Sequence, residues 1–116
     1  MFTLYHYPKC TTCKKAIADL KHHTDQFEVI DIKENPPKAE QLKAWMAQSD
    51  GRLKQFFNTS GQRYRELGLK DKVDTMDATQ AAELLATDGM LIKRPILIKD
   101  GQLVQIGYRT PYENLD

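Results

Sequence analysis

The sequence predicts an α/β domain with the element order β-α-β, several helices, then β-β-α. Runs rich in β-branched and aromatic residues lie near the two ends of the chain, whereas the middle carries apolar residues at helical spacing. An Asp-Gly pair separates the last two apolar runs and is a strong hairpin signal. The predicted sheet is therefore mixed and four-stranded, with one parallel unit and a terminal antiparallel hairpin.

The first 32 residues predict one β-α-β unit. Phe2–Tyr7 has strand composition and ends at Pro8, which interrupts the pattern. A helix is predicted from Thr11 to about His22, since that segment lacks Gly and Pro and repeats apolar residues at helical spacing. The following QFEVIDI segment is dominated by β-branched residues and predicts the second strand.

The middle of the chain predicts a series of helices. One begins after two adjacent prolines and ends near residues 49–51 (SDG), and shorter apolar helical segments follow up to about residue 70. Another helix is predicted from Asp77 as N-cap, with Gln80 in the position that a capping box requires and Gly89 as the stop. These helices form an insertion at about residues 36–90.

The last segments predict a strand pair and a final helical turn. RPILI and QLVQIG are the two strands, joined by KDG. Thr110 and Pro111 can start a helix, because proline is favoured at the first helical position. The whole chain, residues 1–116, is expected to form a single domain.

Charge and hydropathy exclude several classes of function. The chain has 17 basic and 16 acidic residues, a formal net charge of +1, with the signs interspersed. Direct nucleic-acid binding is not expected, because it normally requires a basic patch or stripe. No apolar stretch approaches the ~20 residues that span a bilayer, and the N-terminus lacks the features of a signal peptide. We expect no membrane association and a cytoplasmic location.

The two cysteines, Cys10 and Cys13, lie where the first strand gives way to the first helix. Unpaired backbone N–H groups and the helix dipole favour negative charge there, and nearby lysines (Lys9, Lys14 and Lys15) add to the effect. Cys10 is therefore the predicted catalytic nucleophile. Cys13, one turn further along, is placed to attack a sulfur bonded to Cys10 and is the predicted resolving thiol.

Two other interpretations of the pair remain open. Zinc normally takes four ligands, and the remaining soft candidates (His6, His22 and His23) form no second spaced pair, so no metal is expected. The cysteines could also be inert core residues, because free cysteine is often buried. Placement at a lysine-flanked helix N-terminus favours chemistry over this alternative.

Three stretches together resemble the ArsC/Spx family of thioredoxin-fold proteins, and most of all its short reductase-like CxxC branch. They are TLYHYPKCTTCKKA, YRELGL, and LIKRPILI followed by GQLVQIGY. The resemblance implies a thioredoxin-like sheet, a helical insertion between the second and third strands, and a cis peptide bond before Pro95. It also implies that Arg94 belongs to the catalytic site and that Arg94 and Pro95 contact the substrate.

The function implied is that of a cytoplasmic thiol–disulfide redox protein resembling arsenate reductases, acting on a small thiol or protein disulfide. No bound cofactor is expected; the electron donor would be glutathione or a thioredoxin-type reductant. Asn58 and Tyr108 stand where arsenate reductases of the family carry arginines, which argues against oxyanion binding because neither residue supplies a guanidinium's bidentate geometry.

The alternative implied by the Spx branch is a regulator that binds the RNA polymerase α subunit. That branch uses the same CxxC as a redox switch, and the SDG segment containing Gly51 resembles the part that contacts polymerase. A third alternative is a protein that retains the fold but has lost the activity.

Overall fold

The computed structural model describes residues 1–49 and 51–115; Asp50, within the predicted SDG helix end, and Asp116 lie outside them. None of the described helices has the length and apolar character needed to cross a membrane. The strands and α-helices, in chain order, are β1 (Phe2–His6), α1 (Thr11–His23), β2 (Phe27–Asp31), α2 (Ala39–Gln48), α3 (Gln62–Glu66), α4 (Ala78–Ala86), β3 (Ile96–Lys99) and β4 (Gln102–Ile106). Four short 3-10 turns connect them: Leu53–Phe56, Leu69–Asp71, Val73–Thr75 and Gly89–Leu91.

The four strands form a mixed sheet in the order β2-β1-β3-β4, which confirms the predicted fold class. β1 pairs with β2 in parallel across α1 and with β3 in the antiparallel direction, placing Tyr5 opposite Ile96. β3 and β4 form the predicted hairpin. Its turn residues, Asp100 and Gly101, both have positive φ angles (49° and 85°), as a two-residue hairpin turn with matching twist requires.

The chain divides into two compact units. The first, here called the sheet unit, contains residues 1–31 and the residues from Arg94 onward. Its core forms because β1 and β3 direct apolar residues toward one side of α1, whose buried positions repeat at helical spacing. One cluster of buried residues in this core consists of Phe2, Leu4, Ala16, Leu20, Leu97 and Tyr112.

The second, here called the helical unit, spans Ile32–Lys93, compared with the insertion expected at about residues 36–90. α2 packs against α4 within it. The predicted capping box at the start of α4 is confirmed: Gln80 N donates to Asp77 Oδ1 at 2.8 Å, and Asp77 N donates to Gln80 Oε1 at 3.0 Å.

Two predictions about element ends are wrong. α4 ends at Ala86 rather than at Gly89, whose role is steric: a Cβ atom there would lie 1.9 Å from the Ile32 carbonyl oxygen. The final helical turn at Thr110 and Pro111 is absent from the described residues that follow β4. A long-range bond replaces it, because Tyr112 N donates to the Asp19 carboxylate at 2.8 Å while the Tyr112 ring enters the core.

Candidate functional site

Cys10 is the N-cap residue of α1, as the sequence predicts. Its backbone is extended (φ −87°, ψ 115°), and its N–H donates to the Tyr7 carbonyl at 2.9 Å. The Cys10 Sγ accepts a hydrogen bond from the backbone N–H of Cys13 at 3.2 Å. The sulfur therefore takes the place of the side-chain oxygen that normally satisfies a free N–H group in the first helical turn.

The neighbours of Cys10 favour its thiolate. Partial burial acts to raise the pKa of Cys10, but hydrogen bonds from the Cys13 side chain and backbone, together with the hydrogen bond and charge of the Arg94 guanidinium, lower it overall. The positive charge acting on the sulfur is thus that of Arg94. The predicted lysines (Lys9, Lys14 and Lys15) are exposed on the surface.

Cys13 differs from Cys10 in its burial and in the direction of its pKa shift. Its side chain is fully buried in the first turn of α1, and both cysteines are free thiols. Burial raises the pKa of Cys13 to about 12, helped by the hydrogen bond and charge of Cys10 and opposed by the backbone of Tyr7. Cys13 is therefore the less acidic of the two thiols and the proton donor in its contact with the Cys10 sulfur.

Arg94 approaches Cys10 with unused hydrogen-bonding capacity. Its Cζ lies 5.1 Å from the centre of the Tyr7 ring. Its Nε and Nη1 atoms are buried and have no hydrogen-bond partner among the described residues. Buried N–H donors without acceptors are unfavourable, so an anionic group placed there would be stabilised by them.

Pro95 follows in a cis peptide bond with Arg94, as the family resemblance implies. Its side chain is buried, and its carbonyl accepts a hydrogen bond from Gly107 N at 2.8 Å. This contact fixes the residue that precedes β3 to the residue that follows β4. The structure thus brings Cys10, Cys13 and Arg94 together and places Pro95 directly after Arg94.

Two residues at this unit were missed by the sequence reasoning. Tyr7 contacts Arg94 through its ring and both cysteines through its backbone. Asp19, in α1, accepts hydrogen bonds on Oδ2 from the Tyr108 hydroxyl at 2.6 Å and from Tyr112 N at 2.8 Å. A signal for Asp19 was available, because it is a carboxylate directly beside the buried stripe of α1.

Asn58 and Tyr108, which the family resemblance matches with arginines, have local hydrogen-bond partners. In the helical unit, Asn58 N donates to the Leu91 carbonyl at 2.8 Å and Asn58 Nδ2 to the Met90 carbonyl at 3.4 Å. In the sheet unit, the bond to Asp19 raises the pKa of Tyr108 to about 12. Both side chains therefore serve local structure within their own unit.

A metal centre has no donor set in the described part of the chain, because no three His, Cys, Asp or Glu side chains are grouped closely enough to hold an ion there.

Comparison with known proteins gives concordant results. The sequence profile of the ArsC family matches residues 5–112. The crystal structure of a possible arsenate reductase from Streptococcus mutans UA159 superposes with a TM-score of 0.94 at 56% identity, covering 99% of this chain and 97% of that one. The uncharacterized protein YusI of Bacillus subtilis (strain 168) is 51% identical over 107 residues, covering 92% of this chain and 90% of YusI. The regulatory protein MgsR of the same organism is 32% identical, covering 91% of this chain and 82% of MgsR.

Proposed function

The chain belongs to the ArsC family, and we propose that it is a thiol–disulfide oxidoreductase in which Cys10 is the nucleophile and Cys13 the resolving thiol. One observation carries the proposal. The Cys10 sulfur lies at the N-terminus of α1, accepts the Cys13 N–H, and has the Arg94 guanidinium beside it. Such surroundings stabilise a thiolate, which is the form of cysteine that attacks disulfides.

In the first step, the Cys10 thiolate attacks one sulfur of a substrate disulfide. The substrate S–S bond breaks, a Cys10–substrate mixed disulfide forms, and the second sulfur leaves as a thiolate that takes a proton from solvent. Arg94 and Pro95 contact the substrate here, and the two unpartnered N–H groups of Arg94 would bind an anionic group on it.

In the second step, Cys13 loses its proton and attacks the Cys10 sulfur. This releases the remaining half of the substrate as a thiol and forms the Cys10–Cys13 disulfide. The order of events follows from the electrostatics, because a Cys10 that has reacted carries no negative charge and so no longer raises the pKa of Cys13.

The complete cycle transfers two electrons from the cysteine pair to the substrate, a small-molecule or protein disulfide. Glutathione or a thioredoxin-type reductant then returns two electrons and reopens the Cys10–Cys13 bond. No bound cofactor takes part in this sequence of steps. The chemistry requires a compartment that keeps the thiols reduced, which is the reason for placing the protein in the cytoplasm.

The test is to trap the mixed disulfide. A Cys13→Ser variant incubated with glutathione disulfide should gain the mass of one glutathionyl group, assigned to Cys10 by peptide mass spectrometry. A Cys10→Ser variant is the matched control and should gain nothing. The wild-type protein should instead yield the Cys10–Cys13 disulfide and free glutathione. Absence of the adduct from Cys13→Ser would refute the proposal.

A second candidate function is redox-dependent regulation through the RNA polymerase α subunit. The similarity to MgsR, a regulatory protein, favours it. Reduced and oxidised protein would be tested for binding to the C-terminal domain of the α subunit. Binding in one redox state without disulfide turnover would favour regulation, and no binding in either state would exclude it.

Arsenate is a less suitable substrate than a disulfide. Asn58 and Tyr108 supply no guanidinium, and their polar groups are bonded within their own units. We expect reduction of arsenate, with glutathione as donor, to be far slower than reduction of a disulfide. Arsenate turnover as fast as disulfide turnover would contradict this.

A further inference from the structure

Within residues 1–49 and 51–115, the Arg94 side chain has no carboxylate partner. No described residue forms an ion pair with Arg94, and its buried Nε and Nη1 have no hydrogen-bond partner among residues 1–49 and 51–115. The guanidinium does have the Cys10 sulfur as a neighbour, and it lies over the Tyr7 ring, whose centre is 5.1 Å from Cζ. That distance is within the range of about 6 Å for a cation–π contact.

Tyr7 follows β1 and Arg94 precedes β3, and these two strands are neighbours in the sheet. Along the antiparallel ladder, Leu4 lies opposite Leu97 and Tyr5 lies opposite Ile96. Tyr5 and Ile96 form the last pair of this ladder, and Tyr7 and Arg94 each lie two residues beyond it. The two segments therefore leave the sheet at the same end, where the Tyr7 ring and the Arg94 guanidinium meet.

The Tyr7 backbone is fixed by the same two cysteines. Its carbonyl accepts from Cys10 N at 2.9 Å, and its backbone also hydrogen-bonds to the Cys13 thiol. The Tyr7 backbone therefore has a defined position relative to the Cys10 sulfur, and the guanidinium over its ring is also a neighbour of that sulfur.

We propose that Tyr7 is a positioning residue, whose ring face holds the Arg94 guanidinium beside the Cys10 sulfur. Tyr7 takes no part in bond making or breaking and acts through Arg94. The inference rests on the proposed nucleophilic role of Cys10. Alkylation measures the reactivity of Cys10 without a disulfide substrate, so the role of Tyr7 can be refuted without refuting the proposed function, and the reverse.

The test is the rate of Cys10 alkylation by iodoacetamide, assigned by peptide mass spectrometry at a pH below the apparent pKa of the wild-type thiol. Replacing the ring in Tyr7→Leu should lower the rate about two- to fivefold, the range expected for one partly exposed cation–π contact. Tyr7→Phe keeps the ring and should retain the wild-type rate. Tyr7→Gln is a second variant without the ring. Because Tyr7 is only partly buried, we expect both variants to fold, and the alkylation rate of either one tests the proposal if the other does not.

A double-mutant cycle separates positioning from general disturbance of the loop. In an Arg94→Ala background, Tyr7→Leu should have no further effect on the alkylation rate, since the ring has no guanidinium to hold. The proposal would be overturned by an equal loss in Tyr7→Phe and Tyr7→Leu, by an unchanged rate in Tyr7→Leu, or by an undiminished effect in the Arg94→Ala background.

Discussion

The two ends of helix α1 use polar side chains in opposite ways. At the C-terminal end, Asp19 Oδ2 accepts from the Tyr108 hydroxyl and from Tyr112 N, and Oδ1 lies 3.5 Å from His23 Nε2. At the N-terminal end, Arg94 reaches Cys10 while two of its buried nitrogens have no partner in the described chain. Both oxygens of the Asp19 carboxylate have partners, whereas two nitrogens of the Arg94 guanidinium have none among the described residues.

This difference distinguishes structural from chemical roles within a single unit. Asp19 connects α1 to the segment after β4, which is distant in sequence, and both hydrogen bonds on its Oδ2 hold that segment in place. The Tyr108 ring also packs edge-on against the Tyr112 ring, with their centres 5.0 Å apart. We call Asp19, Tyr108 and Tyr112 together the clamp. Arg94 retains two buried donors without a partner among the described residues, which is typical of a binding site.

The largest expected effect is on turnover at the N-terminal end. Cys10→Ser should lower disulfide reduction by on the order of 10³-fold or more, because the hydroxyl is a far poorer nucleophile than the thiolate. Asp19→Asn should leave the turnover rate close to that of the wild type. Steady-state reduction of a small disulfide measures both, and a comparable loss in Asp19→Asn would show that the two ends of α1 are not functionally distinct.

The next effect is on stability, at the C-terminal end. Asp19→Ala removes the acceptor of two hydrogen bonds and should lower the free energy of unfolding by about 1.5–3 kcal/mol, the range for bonds to charged groups. Asp25→Ala, an exposed carboxylate two residues beyond the helix, is the control and should change stability by less than about 0.5 kcal/mol. Urea denaturation at pH 7 makes the comparison.

The same variant has a defined pH dependence. The Tyr108 hydroxyl, Tyr112 N and the nearby histidines lower the pKa of Asp19 in the folded protein, with burial acting the other way. A lowered native pKa contributes stability that is present above the unfolded pKa of about 3.9 and is lost as the pH falls through the native value. The difference in the free energy of unfolding between the wild type and Asp19→Ala should therefore become smaller as the pH is lowered. A difference that becomes larger would contradict the proposed clamp.

Arg94 gives a smaller effect on Cys10 reactivity. Because the guanidinium lowers the pKa of Cys10, Arg94→Ala should shift the rise of the alkylation rate to higher pH and reduce the rate at pH 6 roughly tenfold. The alkylation rate of Arg94→Lys should lie between those of the wild type and Arg94→Ala, because lysine keeps the charge but lacks the planar guanidinium. The rates of all three proteins should converge at alkaline pH; superimposable profiles throughout would exclude a role for Arg94.

The sequence was sufficient for features set by local pattern. The β-α-β order, the hairpin, the α4 capping box and the Cys10 N-cap all depend on residues a few positions apart, and all are observed. The clamp could not be predicted, because Asp19 and its partners are 89 and 93 residues apart. Tyr7 was missed for the same reason, since its contact with Arg94 joins two segments that are distant in sequence. The final helical turn was wrong because a tertiary bond overrode local preference.

The smallest expected effect concerns the lysines that flank the cysteine pair. Lys14 and Lys15 are exposed, so their charges act on Cys10 through water and are screened by salt, whereas Arg94 acts at close range from a partly buried position. The double variant Lys14→Ala/Lys15→Ala should lower the Cys10 alkylation rate less than about twofold at low ionic strength. In 1 M salt the difference should vanish, while that of Arg94→Ala persists. If the lysine variant matched Arg94→Ala, or if salt abolished the effect of both, the thiolate would be stabilised by the surface field rather than by the contact with Arg94.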